Sequence, residues 1–216
     1  MPTLIRPRST DPRSFIAVLR IAMFVASSIS AVVLWMLGDL PVAFGQAAAA
    51  PRAHPLLIYL AGPFGFSEAG RDFMYRVLIP DLKREGFEVL DPWKLTDQGK
   101  IDPILQMPYG KARRDAWRKL NPEIARNNQM AIDRCDAVFA VLDGPDVDSG
   151  TAAEIGYAFA QHKPIVGYRG DLRLSSDNEG SIVNLQVEYF ITESGGTIAM
   201  NLKDALKALT AVTERK

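Results

Sequence analysis

Cysteine and histidine are almost absent from this 216-residue sequence, which contains only Cys135, His54 and His162 of these two types. A single cysteine excludes a disulfide within the chain. So few sulfur and imidazole ligands leave almost no material for a zinc or iron site, and we predict neither a metal nor any other cofactor. Because Cys135 directly precedes an apolar run, we interpret it as a small core residue.

The chain also lacks an excess of charge of either sign, since 25 basic and 25 acidic side chains cancel. A nucleic-acid-binding surface needs a basic excess to neutralise phosphates, so nucleic acid is not an expected partner. A hydrophobic content of 48% is typical of a folded globular protein. The length suits a single catalytic or binding domain.

Phosphate-binding glycine motifs are missing as well. The turn Leu60-Ala61-Gly62-Pro63 follows an apolar run, but it contains neither Gly-x-Gly-x-x-Gly nor Gly-Lys-Ser/Thr. This absence argues against a dinucleotide or triphosphate site. A glycine without a Cβ still lets a small ligand approach the backbone closely at Gly62.

Residues 1–50 differ in composition from the rest of the chain. A basic start is followed by an apolar stretch at residues 15–37 and a run of small residues that ends at residue 50. This order is typical of a secretory signal peptide; a retained membrane anchor and a start codon assigned too far upstream are competing interpretations. The first two predict an exported, periplasmic or inner-membrane-anchored protein, with membrane association through residues 15–37. The third predicts a cytoplasmic protein.

From residue 55 onward, short apolar runs alternate with amphipathic stretches. This alternation predicts a three-layer, doubly wound α/β domain over residues 55–216. Its mostly parallel sheet is flavodoxin- or Rossmann-like, and an N-terminal apolar helix precedes it. Strands are expected at residues 56–60, 87–90, 137–142, 165–168 and 197–200. Helices are expected at residues 67–85, 121–134, 150–161, 182–190 and 201–213. A long polar connection precedes the second helix, which Pro122 opens.

Two carboxylates follow the apolar run at residues 137–142. Asp148 precedes the predicted helix and Glu154 lies one turn into it, so both can face the crevice at the carboxyl ends of the strands. Retaining cleavage of a glycosidic bond needs such a pair: one group attacks the anomeric carbon and the other handles protons and orients groups. The alternative interpretation is structural, with Asp148 capping the helix and Glu154 exposed to solvent.

Motifs elsewhere in the chain, taken together with this helix, resemble the nucleoside 2-deoxyribosyltransferase family. The resemblance covers roughly residues 56–190, and its motifs occur in the family's order. The most specific element is Asp-x-Gly-Thr-x-x-Glu at residues 148–154. The other matching segments are Tyr59-Leu60-Ala61-Gly62-Pro63, Asn127-Asn128, Lys163-Pro164-Ile165, Ser176-Asp177-Asn178-Glu179 and Val183-Asn184-Leu185.

The resemblance implies a role for each matched residue. Glu154 matches the nucleophile that forms a covalent 2-deoxyribosyl-enzyme, Tyr59 a tyrosine that positions it, and Asp148 an aspartate that binds the sugar hydroxyls. Asn184 matches an asparagine that reaches the 5′-hydroxyl end of the sugar in a neighbouring subunit, which implies a homo-oligomer with shared active sites. Asn128 stands where many members carry an aspartate that contacts and protonates the leaving base, and an amide cannot donate a proton in that way.

The leading hypothesis is therefore an enzyme that transfers the 2-deoxyribosyl group between nucleobases, or hydrolyses it, with a 2′-deoxynucleoside and a free nucleobase as partners. A deoxynucleoside 5′-monophosphate N-glycosidase is a second hypothesis, which requires cationic or hydroxyl groups such as Ser67 or Arg71 close to the site. A catalytically silent nucleoside-binding or sensing module is the third. The further residues expected to line the substrate site are Gly62, Pro63, Phe64 and Gly150.

Overall fold

The computed structural model describes residues 54–215. The segment for which the sequence predicts an apolar helix, a signal peptide or a membrane anchor lies outside this range. Within residues 54–215, no helix combines the length and the apolar character needed to cross a membrane.

A five-stranded parallel sheet forms the centre of the described domain. The strands stand in the order β2-β1-β3-β4-β5, and each neighbouring pair is parallel. This arrangement confirms the predicted α/β fold with a parallel sheet. The strands are β1 (Leu56–Ala61), β2 (Phe87–Leu90), β3 (Ala137–Val141), β4 (Ile165–Tyr168) and β5 (Ile198–Ala199).

Helices connect the strands and cover both faces of the sheet. A π-helical turn at Met74–Leu78 joins the first two helices, and short 3₁₀ turns at Phe64–Phe66 and Pro92–Lys94 follow β1 and β2. The α-helices are α1 (Glu68–Phe73), α2 (Ile79–Arg84), α3 (Gln98–Gln106), α4 (Lys111–Arg134), α5 (Ser149–Ala160), α6 (Leu185–Glu193) and α7 (Leu202–Glu214).

Alternate residues of each strand point into two separate apolar layers, as the period of a β-strand requires. On one face, buried residues of β1, β3 and β4 such as Tyr59 and Val138 pack with residues of α4, α5 and α6. On the other face, residues such as Ile58 and Phe139 pack with the segment from α1 to α2 and with α7. Tyr59 is fully buried and lies on the face that α5 covers.

The prediction for residues 91–134 was wrong in two places. The connection after β2 contains α3 instead of irregular chain, and α4 begins at Lys111 instead of at Pro122. Both helices contain an internal proline, Pro103 in α3 and Pro122 in α4. A proline removes one backbone hydrogen bond, but burial of residues such as Leu120 and Ile132 on α4 offsets this cost.

The strand order places a crevice between β1 and β3. The chain leaves β1 towards β2 on one side, and β3 lies on the other side, so the direction of winding reverses between these two strands. In open parallel sheets, ligands bind at this reversal, outside the carboxyl ends of the strands. The loop after β1 begins at Gly62, where an added Cβ would lie only 2.7 Å from the Val141 Cβ on β3, so this position requires the smallest residue.

Candidate active site

The hydroxyl of Tyr59 donates a hydrogen bond of 2.6 Å to Oε1 of Glu154. These residues are 95 positions apart in the sequence. β1 holds the tyrosine in the sheet, while the second turn of α5 directs the glutamate back towards the same strand. Oε2 of Glu154 accepts no hydrogen bond within residues 54–215, so one oxygen is fixed and the other is available to a ligand.

The environment of this pair disfavours the loss of either proton. Burial raises the pKa of Glu154 to about 7; the hydrogen bond from Tyr59 acts in the opposite direction, and the nearby carboxylate of Asp148 adds to the rise. Burial likewise raises the pKa of the Tyr59 hydroxyl, and the carboxylate of Glu154 raises it further. The tyrosine therefore remains a donor over the whole physiological range, and the glutamate titrates near neutrality.

Asp148 is the N-cap of α5. Its Oδ2 accepts a hydrogen bond of 2.9 Å from the backbone N–H of Thr151 and one of 3.2 Å from the Thr151 hydroxyl. The alternative interpretation of Asp148 as a helix cap is therefore confirmed. Glu154 differs, because it is partly buried and hydrogen-bonded to Tyr59 instead of being solvated. Capping through Oδ2 leaves Oδ1 of Asp148 without a hydrogen bond in the described range.

A cavity of about 280 Å³ opens between Glu154, Asp148 and two loops. Its walls combine aromatic rings with a few polar groups, as is common in small-molecule sites. The lining residues are Gly62, Phe66, Pro92, Trp93, Ile124, Asn128, Asp148, Gly150, Thr151 and Glu154.

Two aromatic side chains, Phe66 and Trp93, form part of the cavity wall. Phe66 and Trp93 meet edge to face with ring centroids 4.7 Å apart. Asp91 fixes the start of the tryptophan's loop, since its carboxylate accepts hydrogen bonds from the Trp93 N–H at 3.0 Å and from the Tyr75 hydroxyl at 2.9 Å. A Cβ at Gly65 would lie 1.9 Å from the Trp93 ring, so the ring packs directly on the glycine backbone.

Asn128 reaches the cavity from α4. Its Oδ1 atom is buried and accepts no hydrogen bond in the described part of the chain. Asn128 and Glu154 also border a second depression of about 380 Å³ between α4 and α5. These two side chains therefore stand at the junction of the two spaces.

The structure brings some of the sequence-predicted residues together and leaves others apart. Tyr59, Asp148, Glu154, Asn128, Gly62 and Gly150 meet at or directly behind the cavity. Phe64 instead packs edge to face on Phe73, with ring centroids 5.6 Å apart, and Pro63 is absent from the cavity lining. Asn184 caps α6 through Oδ1, and its Nδ2 donates to Asp177 at 3.4 Å, so within one chain it does not reach the cavity.

Sequence reasoning missed the aromatic wall. The sequence predicted that Phe64 lines the cavity, but Phe66 does so instead. Both residues lie in the 3₁₀ turn at Phe64–Phe66, which brings only the second of them to the cavity. Trp93 lies three residues after the end of β2, and in the sequence only this position near the end of a strand indicates that it could line the site. Among residues 54–215, no three His, Cys, Asp or Glu side chains are grouped closely enough to hold a metal ion.

Comparisons with known proteins place the sequence beside one family. The sequence model described as Nucleoside 2-deoxyribosyltransferase matches residues 58–186. An uncharacterized protein of Schizosaccharomyces pombe, C191.05c, is 28% identical, and the match covers 43% of this chain and 62% of the yeast protein. This chain thus spans less than two thirds of that relative's length.

Two solved structures are similar to the described domain. A conserved protein from Enterococcus faecalis V583 superposes with a TM-score of 0.51 at 23% identity, covering 75% of this chain and 99% of that one. A 2-desoxiribosyltransferase from Leishmania mexicana superposes with a TM-score of 0.49 at 23% identity, covering 74% and 98% of the two chains. The first superposition shows a shared fold.

The raised pKa of Glu154 predicts a pH-dependent cost to folding. Between the ordinary pKa of 4.5 and about 7, the unfolded chain loses this proton while the folded protein keeps it. Glu154 therefore destabilises the folded state progressively as pH rises through this window. Glu154→Gln does not titrate, so we expect its stability relative to the natural protein to increase by up to about 3 kcal/mol between pH 4.5 and pH 8. Urea unfolding at both pH values measures this.

Glu193→Gln is the matched control, because this glutamate is exposed near the end of α6. The same two measurements on Glu193→Gln give the pH response of an exposed glutamate in this fold. A Glu154→Gln difference that changes with pH no more than the Glu193→Gln difference would contradict the raised pKa of Glu154.

Proposed function

Since this chain belongs to the nucleoside 2-deoxyribosyltransferase family, we propose that it cleaves the N-glycosidic bond of 2′-deoxynucleosides through a covalent intermediate on Glu154. The family match indicates an enzyme of glycosyl transfer or hydrolysis. The observation that supports the specific mechanism is the 2.6 Å hydrogen bond from Tyr59 to a partly buried glutamate on a cavity wall.

The reaction takes two displacements at the same carbon. In the first, an electron pair of Glu154 Oε2 forms a bond to C1′ while the bond from C1′ to the base nitrogen breaks and leaves its electron pair on the base. In the second, a nitrogen of another base or the oxygen of a water molecule attacks C1′ and then loses a proton to solvent, while the carboxylate departs with the electron pair of its bond to C1′. Two inversions retain the configuration, and the transition states resemble an oxocarbenium ion.

Tyr59 positions the nucleophile. By donating to Oε1, the hydroxyl fixes the plane of the carboxylate and turns Oε2 towards the cavity. The same hydrogen bond counteracts the effect of burial on the pKa of Glu154, so it keeps a useful fraction of the glutamate ionised near neutral pH. A sparsely solvated carboxylate is also a stronger nucleophile than a hydrated one, because no water shell must be removed before attack.

Asp148 and a second copy of the chain complete the sugar site in this proposal. Because Thr151 holds Oδ2 of Asp148, the unbonded Oδ1 is the oxygen available to a sugar hydroxyl. The carboxamide of Asn184 lies at the start of α6, away from the cavity of its own chain. The family resemblance implies that this carboxamide reaches the 5′ end of a sugar bound by a neighbouring subunit, and on that basis we propose a homo-oligomer.

The charge of the cavity favours nucleosides over their 5′-monophosphates. Its described lining contains two carboxylates, on Asp148 and Glu154, and no lysine or arginine. Ser67 accepts a hydrogen bond from Gly70 as the N-cap of α1, and Arg71 donates to the Gly65 carbonyl at 3.1 Å and faces an adjoining cavity. Neither group lines the cavity beside Glu154, so a phosphate there would lack a cationic partner within one chain.

A silent binding module is less consistent with this site. A protein that only binds a nucleoside has no need for a partly buried carboxylate, and burial of such a group carries a free-energy cost. The positioned, partly desolvated Glu154 is instead what nucleophilic catalysis requires.

Replacement of the nucleophile tests the proposal directly. We expect Glu154→Ala to lower kcat/KM for 2′-deoxynucleosides by at least about a thousandfold, because no other carboxylate is held at C1′. Product analysis with and without a free base then separates transfer from hydrolysis in the natural protein. Glu193→Ala, at an exposed site on α6, should retain full activity. Undiminished turnover by Glu154→Ala would contradict the mechanism, and nucleoside binding without any turnover by the natural protein would favour the silent module.

Removal of the Tyr59 hydroxyl should move the pH profile in a defined direction. The hydrogen bond from Tyr59 lowers the pKa of Glu154, so Tyr59→Phe should raise it above about 7. Since the nucleophile must be ionised, the rise of kcat/KM with pH should shift to higher pH, with a lower plateau because the carboxylate is less well oriented. Full pH profiles of the two proteins measure both effects. An unshifted midpoint would indicate that the hydroxyl does not control this ionisation.

The charge argument predicts a preference between paired substrates. We expect kcat/KM for 2′-deoxyadenosine to exceed that for its 5′-monophosphate by at least about tenfold, owing to repulsion by the two carboxylates. Chromatographic detection of released adenine gives both values under identical conditions. A preference for the monophosphate would instead support the N-glycosidase hypothesis.

A further inference from the structure

Positive charge is concentrated in one short segment of a chain whose net charge is zero. Residues 111–119, the first nine residues of α4, contain five basic side chains and one acidic side chain. No other nine-residue stretch of the sequence contains as many basic residues. Residues 54–215 as a whole carry 19 basic and 23 acidic side chains, so this segment is a positive region on a domain that is otherwise acidic. Such an asymmetry indicates an anionic partner.

The stability of α4 does not explain these cations. The positive end of a helix dipole lies at the first turn, where acidic side chains stabilise the helix and basic ones destabilise it. The first turn of α4 instead contains Lys111, Arg113 and Arg114 and no acidic residue. Asp115 is the one acid of the segment, and it pairs with Lys111 at 2.6 Å and with Arg118 at 2.9 Å. Exposed ion pairs contribute little, so the cations remain available to a partner.

The cations lie on the outer side of the helix. Lys111, Arg114 and Arg118 follow one another at intervals of three and four residues, which places them on the same face of α4. The side chains of Lys111 and Arg118 are 85% and 74% exposed, and Arg114 and Lys119 are exposed as well. Leu120, on the opposite face, is buried. The stripe extends over about 12 Å of helix, so its positive charges act together on one partner surface.

Exposed apolar side chains lie directly beside this stripe. The corner between α3 and α4 carries Leu105, Met107 and Tyr109, which are 52%, 36% and 93% exposed. Arg113 joins the corner to the helix, because its Nη1 donates to the Met107 carbonyl at 3.1 Å and its guanidinium lies 4.3 Å from the centre of the Tyr109 ring. Residues 105–119 therefore form one surface, here called the basic corner, in which exposed apolar groups adjoin exposed cations.

We propose that the basic corner docks on the surface of a membrane that contains anionic lipids. Lysine and arginine side chains are attracted to the negative potential of such a surface. A tyrosine ring with leucine and methionine beside it can enter the layer where the headgroups meet the acyl chains. A nucleic acid would also attract the cations, but it would leave the aliphatic side chains of Leu105 and Met107 without an apolar contact. The combination of both kinds of group therefore favours lipid.

The basic corner is separate from the active site and from residues 15–37, for which the sequence predicts membrane association. Arg114 precedes Asn128 by 14 residues, about 21 Å of α4, and no residue of 105–119 lines the cavity beside Glu154. The proposal is thus independent of the proposed function. Salt weakens docking through exposed charges, whereas it does not weaken insertion of an apolar segment, so an experiment can distinguish the corner from residues 15–37.

A local fluorescent probe tests the docking in the 216-residue chain. Cys135 is buried, so a thiol-reactive, polarity-sensitive dye can be attached to Gln106→Cys, between the exposed Leu105 and Met107. We expect its emission to rise on vesicles of phosphatidylcholine with about one third phosphatidylglycerol, and to change little on phosphatidylcholine alone. The lipid concentration for half of the change should increase at least about tenfold between about 0.1 M and about 0.5 M salt, because salt screens the attraction.

Two matched double variants of the labelled protein make the result specific. Arg114→Glu with Arg118→Glu should raise that lipid concentration at least about 25-fold, because each cation near an anionic surface contributes about fivefold. Lys203→Glu with Lys207→Glu has the same spacing on α7, which covers the other face of the sheet, and should leave it unchanged. All four side chains are exposed, so thermal unfolding without lipid should show that both variants are folded.

Four other results would overturn the proposal. The probe would remain silent on every vesicle if the corner did not meet lipid. Equal responses to both kinds of vesicle, unaffected by salt and by the changes at Arg114 and Arg118, would show that another part of the chain holds the protein on the membrane. A response to a short DNA duplex and none to vesicles would assign the corner to nucleic acid. A response that grows with protein concentration in the absence of lipid would assign it to a second copy of the chain.

Discussion

The burial of one carboxylate beside one tyrosine is the constraint on which the site depends. Glu154 lies partly out of water, and the 2.6 Å hydrogen bond from Tyr59 is its only hydrogen-bonded stabilisation within the described chain. Burial raises the pKa of the glutamate to about 7, where neither the neutral nor the ionised form dominates at physiological pH. The protein keeps a costly group on the wall of a cavity, and in the proposed mechanism the gain is a positioned nucleophile.

The fold supplies that pair from elements far apart in the sequence. A parallel strand gives the tyrosine a fixed height in the sheet, and the helix that follows β3 begins at the carboxyl edge, where the winding reverses. Asp148 caps that helix through Oδ2 and so fixes the turn that carries Glu154. Asp91 fixes the loop of Trp93 in the same way on the opposite wall. Each cap is thus a stabilising contact that also sets the geometry of the site.

The sequence predicted the fold and the chemical groups of the site better than it predicted the cavity walls. Apolar runs and glycine turns were sufficient for the sheet and for most helices, because these patterns reflect burial directly. They failed at Pro103 and Pro122, where packing of α3 and α4 outweighs a local preference that the chain alone expresses. The sequence alone could not identify Phe66 and Trp93 as cavity residues. A 3₁₀ turn and the packing of the Trp93 ring on Gly65 determine which aromatic side chains face the cavity. The amide oxygen of Asn128 has no hydrogen-bond partner within residues 54–215, which is likewise a result of packing that residue spacing does not encode.

The most direct measurement of the central claim is mass spectrometry of peptides from protein quenched in acid during turnover of 2′-deoxyadenosine. The account predicts an added mass of one 2-deoxyribosyl group on the peptide that contains Glu154, and its absence in Glu154→Gln and in protein without substrate. Rapid turnover with no adduct would contradict a covalent intermediate. An adduct confined to Asp148 would also contradict the account, because it would show that Asp148, and not Glu154, is the nucleophile.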